Sequence, residues 1–241
     1  MGRLLTKEEW IKRNKLKNRL MSISAFVLFA VIIVSTGIFV KTLIESSNTN
    51  IASDEVVIQT LSNGIQVKVD FLSPNPYSRP QTELKKVNGI VIHYVGNPST
   101  TAMNNRNYFE SLAKKKTTSA SSHFVIGLEG EVIQCIPLTE IAYASNERNA
   151  DTISIECCHP DDMGKFNEAT YDSLVSLVAK LCVEYDLKED EVIRHYDVTG
   201  KKCPLYYVDH EDAWIQLKAD IFDEIELVKE ELENAVDATA E

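Results

Sequence analysis

"VIRHYDVTGKKCPLYY", residues 192–207, places His195 and Cys203 eight positions apart, with Gly200, Lys201, Lys202 and Pro204 around them. Its apolar start predicts a short strand over 191–196, and the Gly/Lys/Pro run predicts the loop that leaves that strand. An imidazole and a thiol on one loop make a donor pair for a metal ion, and a further ligand must then come from elsewhere in the chain. Working outward, a second apolar strand carrying a histidine occurs in "GIVIHYV" (89–95), a β-branched run that contains His93. A lone strand histidine is more often a packed or hydrogen-bonded residue than a ligand. Two that end apolar strands, the second followed by Cys203, point to a three-ligand site. Zinc takes His nitrogen and Cys thiolate in a tetrahedron, and a catalytic site leaves one position open for water.

Between these blocks strand and helix signals alternate. "VVIQTLSNGIQVKVDFL" (56–72) predicts a hairpin turning near Asn63-Gly64, and "SPNPYSRP" (73–80) an extended crossing. Residues 102–116 read as a helix ending on Lys114–Lys116, and "SHFVIGLEGEVIQCI" (122–136) as a second hairpin. "TISIECC" (152–158) is another strand. Asn167 then caps a helix whose Tyr171, Leu174, Val175, Val178, Leu181, Cys182 and Tyr185 recur at helical spacing. The last helix carries Trp214, Leu217, Ile221, Val228 and Leu232 on one face. The alternation predicts an α/β fold, a mixed central β-sheet flanked by helices. No internal repeat and no glycine-rich nucleotide loop is present.

The beginning of the chain is a different polymer. Residues 1–20 carry seven Lys/Arg against two Glu, a net of +5, and Met21–Val40 is uncharged throughout. Twenty helical residues span roughly the 30 Å hydrocarbon core, so a single transmembrane helix is expected to precede the α/β domain. The exit "GIFVKTLIESS" lacks a small-residue cleavage pattern, which favours an uncleaved signal-anchor over a signal peptide. The basic flank places the N-terminus in the cytoplasm and the C-terminal domain outside it, in a single-pass cell-membrane protein. Beyond the arm, 18 Lys/Arg against 34 Asp/Glu leave −16, which argues against a nucleic-acid partner. The five cysteines are too sparse for a disulfide-stapled mini-domain, and only Cys203 sits in a Gly/Lys/Pro loop.

Taken together, "GIVIHYV", "SSHFVIG…GEVIQCIP", "TISIECC" and "VIRHYDVTGKKCP" resemble the zinc-dependent N-acetylmuramoyl-L-alanine amidases, in the superfamily of phage lysozyme-type amidases and peptidoglycan recognition proteins. The resemblance covers roughly 88–221 and implies zinc held by His93, His195 and Cys203. It also implies Glu156 as the proton-transferring carboxylate and Lys201 as a stabiliser of the oxyanion, roles that acid–base and electrostatic catalysis of amide hydrolysis require. The substrate implied is peptidoglycan or a muropeptide. Two alternatives stay open: a non-catalytic peptidoglycan sensor on the same fold, and a zinc peptidase acting elsewhere in the stem peptide. Ser122 stands where some branches carry a Tyr, so the branch relying on Glu is the better match. "AYAS" (142–145) replaces an aromatic followed by His, His123 is expected to be structural or pocket-lining, and His159 and His210 look incidental. The expected organisation is a basic cytoplasmic arm (1–20), a transmembrane anchor (21–44), a linker with the first hairpin (45–87), the amidase domain (88–230) and an acidic tail (231–241).

Overall fold

The structure, a computed structural model, describes residues 57–60 and 64–238. The expected cytoplasmic arm, the expected membrane anchor, and residues 45–56 and 61–63 of the expected linker and hairpin lie outside the described residues. No helix among the described residues is long and apolar enough to cross a membrane.

Seven strands form one mixed sheet: β1 (Val57–Thr60), β2 (Gln66–Val69), β3 (Ile90–Tyr94), β4 (Phe124–Ile126), β5 (Val132–Gln134), β6 (Ile153–Cys157) and β7 (Val192–Arg194). Their order is β1-β2-β5-β4-β6-β3-β7. The two hairpins are antiparallel, β1 with β2 and β4 with β5, while β2–β5, β4–β6, β6–β3 and β3–β7 run parallel. The first hairpin is therefore part of the domain's sheet, joined through Val67 opposite Val132, and not a separate lead-in.

Alternation along the strands serves two cores. Ile90, Ile92, Phe124, Ile126, Ile153 and Ile155 face one side, where α2 (Glu168–Tyr185) and the long α5 (Glu211–Ala238) cover them. Val125, Ile133 and Cys135 face the other side and pack with α1 (Ala102–Lys115) through Ala102, Phe109 and Leu112. Thr101 caps α1 with a reciprocal box to Asn104, and Asn167 caps α2. The last helix runs to Ala238, past the point where the sequence reading starts an acidic tail.

The deciding stretch departs from expectation at one place. The strand ends at Arg194, and His195 opens a short helix, α3 (His195–Thr199), instead of closing the strand. Asp197 is the cause: its carboxylate accepts the Arg194 backbone N–H at 2.8 Å, an N-terminal cap that turns the chain. Gly200, at φ 75°, ends that turn in the left-handed region where glycine is unstrained. A second short helix, α4 (Leu205–Asp209), follows. Arg194 pins the corner through Asp197, Glu211 of α5 and the Tyr207 carbonyl.

Candidate metal and active site

His93 is buried near the end of β3, on the face opposite Ile90 and Ile92. Glu156 is its register partner on parallel β6, so the two side chains project from the same face of adjoining strands. β7 flanks β3 on the other side and delivers His195 at its exit. The ends of three parallel strands thus converge, as is usual for ligand sites of such sheets. The loop after α3 returns because the Tyr196 N–H donates to the Cys203 carbonyl at 2.9 Å. That fold-back buries Cys203 beside His93, with Sγ 3.8 Å from Nδ1.

One donor atom from each of His93, His195 and Cys203 lies within 4.8 Å of the others. The donor chemistry fits zinc. Burial holds His93 well below the ordinary imidazole range, helped by His195 and Lys201, and also lowers His195, where Lys201 adds to it and Glu147 opposes. Both rings are therefore neutral, as ligands must be. Burial pushes the Cys203 thiol up to about 12, a cost that a cation seated against the sulfur would reverse. His195 Nδ1 is also buried with no hydrogen-bond partner.

Glu156 keeps some exposure, but its Oε2 is buried and unpartnered. Burial raises this carboxyl to about 8, with the Lys201 charge pulling the other way. Both protonation states are accessible near neutral pH, as a group that takes and returns a proton requires. Lys201 itself is exposed at the rim.

The other residues singled out from the sequence fall elsewhere. Ser122 is buried and donates to the Ser154 carbonyl, so it has no reach into the cleft. His123 is structural: it is fully buried and bonded at both ring nitrogens. His159 donates from Nδ1 to the Asp161 carbonyl at 2.7 Å and lies beside Tyr94, and His210 stacks on Tyr206. Cys135, Cys157, Cys158 and Cys182 are buried free thiols. Two contacts had no signal in the sequence. His93 Nε2 lies 3.1 Å from Ser145 Oγ, and His195 Nε2 lies 3.3 Å from Asn146 Oδ1. Ser145 precedes and Asn146 opens a five-residue 3₁₀ turn (Asn146–Ala150), too short to show a period.

Comparison with known proteins shows the family and the fold. A profile of the family described as N-acetylmuramoyl-L-alanine amidase matches residues 83–205, just over half of the chain. The N-acetylmuramoyl-L-alanine amidase CwlL of Bacillus licheniformis is 35% identical over 158 residues, covering 60% of this chain and 43% of that protein. BlyA of Bacillus subtilis (strain 168), an enzyme of the same name, is 30% identical over 169 residues, covering 61% and 44%. The chain spans less than half the length of these curated relatives. In fold it is similar to the catalytic domain of XlyA, with a TM-score of 0.55 at 24% identity over 65% of this chain and 99% of that one. PlyL gives a TM-score of 0.56 at 23% identity, over 65% and 97%.

Proposed function

We propose that this chain, which belongs to the N-acetylmuramoyl-L-alanine amidase family, is a zinc-dependent, membrane-anchored hydrolase of cell-wall peptidoglycan. The bond cut is the amide between the lactyl group of N-acetylmuramic acid and the first L-alanine of the stem peptide. The observation that carries this reading is the convergence of His93, His195 and Cys203 beside a buried carboxyl oxygen of Glu156 that has no partner.

His93, His195 and Cys203 would hold the ion. When bound, zinc supplies Lewis-acid activation of water and of the scissile carbonyl. Glu156 accepts a proton from the attacking water at its unpartnered Oε2 and then returns it to the leaving amine of L-alanine. Lys201, exposed at the rim, would place its ammonium near the carbonyl oxygen as negative charge builds there.

The sensor alternative is weakened by the complete trio, because a module that only binds has no use for a buried thiol ligand and an unpaired carboxyl. The peptidase alternative differs only in which amide is cut. Incubating the full chain with purified sacculi and analysing the products by mass spectrometry separates them. Stem peptides bearing a free L-alanine amino group are expected. Cleavage between other stem residues, or none at all, would overturn the proposal.

Placement follows from the +5 arm and the uncharged run Met21–Val40. Protease added to intact wall-stripped cells should remove a C-terminal epitope and spare an N-terminal one. Protection of the C-terminal epitope would move the enzyme inside the cell.

A further inference from the structure

We propose that Ser145 and Asn146 form a tautomer clamp for the metal centre, holding the Nε2 protons of His93 and His195 so that both rings present Nδ1 toward Cys203. This rests on the reading of the trio as a zinc site. Asn146 Oδ1, an oxygen that only accepts, lies 3.3 Å from His195 Nε2, so that nitrogen carries the proton. Nδ1 of the same ring then holds the lone pair, and it is the ring atom left buried without a partner. His93 is placed alike, with Nε2 3.1 Å from Ser145 Oγ, a hydroxyl able to accept its proton, and Nδ1 3.8 Å from Cys203 Sγ. Two consecutive residues of one loop thus orient two ligands delivered by two different strands.

The loop is built to hold still. Asn149 Oδ1 accepts the backbone N–H groups of Ala144 and Ser145, at 3.0 and 2.6 Å. Ser145 is buried, and Asn146 takes φ 53°, a left-handed conformation that asparagine tolerates better than most residues. These are positioning residues. They touch the imidazoles and leave the reacting atoms to others. Partners of this kind fix ring orientation and raise ligand basicity, and losing one typically costs 10–100-fold in metal affinity.

The test uses the full-length chain, titrated with zinc against a competing chelator. Asn146→Gly keeps the left-handed backbone but removes the acceptor, and Ser145→Ala removes the hydroxyl. Each is expected to weaken zinc binding by roughly 10–100-fold, while Asn146→Asp, which restores an acceptor oxygen, recovers most of the loss. A purely structural loop would lower the melting temperature of the metal-free chain without this pattern of loss and recovery. Should Ser145→Ala fail to fold, the Asn146 variants and imidazole nitrogen NMR of the metal-free parent decide, with protons expected on Nε2 of both rings. Parental zinc affinity in Asn146→Gly, an Asp variant no better than Gly, or an Nδ1-protonated ring overturns the proposal. These readouts do not depend on which bond is cut. Failure of the amidase reading would appear as tight zinc binding without release of L-alanine-terminated peptides, leaving the clamp intact.

Discussion

At His123 the imidazole is wired into the fold at both nitrogens: Nδ1 accepts the Ser154 N–H at 3.0 Å and Nε2 donates to the Glu140 carbonyl at 2.9 Å. A second proton on Nδ1 would point at a donor, and burial lowers this group from 6.5 to about 4, with the Glu140 hydrogen bond and charge opposing. The unfolded chain therefore binds the proton at higher pH than the folded one does. The contribution of His123 to stability is complete above about pH 6.5 and is lost as pH falls toward about 4, so stability rises with pH across that window. His123→Gln should flatten this part of a denaturant-measured stability profile relative to the parent. Identical slopes in variant and parent would remove His123 as the cause. Single residues differ in how readable they were. His93 and His195 drew notice because an imidazole following an apolar β-branched run is chemically out of place, and Cys203 because its thiol sits in the Gly/Lys/Pro loop just beyond; the structure brings the three together. Ser145 and Asn146 did not, since a polar residue at the start of a short 3₁₀ turn is the common case and their partners lie 52 and 49 positions away.

Elements with a strong period or a capping residue were the legible ones. Both hairpins, the strands around His93 and Glu156, and the helix opening after Asn167 match their expected places because alternation and caps are local properties. The turn at His195 was missed for an equally local reason: Asp197 reaching back to Arg194 and Gly200 closing behind make a helix of five residues, too short to show a period. Asn167 shows what a cap does for the architecture. Its Oδ1 accepts the Thr170 N–H while its Nδ2 donates to the Leu128 carbonyl, tying α2 to the β4–β5 hairpin. Asn167→Ala should cost about 1–2 kcal/mol, seen as a lower denaturant midpoint at unchanged slope. A loss no larger than that of an exposed control substitution would show that the helix starts independently of this cap.

At the scale of the whole molecule, strand order does the work that no local pattern could foretell. Placing β3 between β6 and β7 brings His93, Glu156 and His195 to one edge, although they span more than a hundred positions of chain. Burial at that end holds His93 well below the ordinary imidazole range, lowers His195, and raises the Glu156 carboxyl and the Cys203 thiol. The proposed function divides two jobs at this end, giving the ion to the trio and the proton to Glu156. Zinc content and amide turnover, measured side by side on the full-length parent, Glu156→Ala and Cys203→Ser, test that division most directly. The parent should bind about one zinc per chain, and Cys203→Ser should lose it together with activity. Glu156→Ala should keep the metal while turnover falls by roughly 10²–10⁴. Near-parental turnover in Glu156→Ala, or full zinc occupancy in Cys203→Ser, would contradict it.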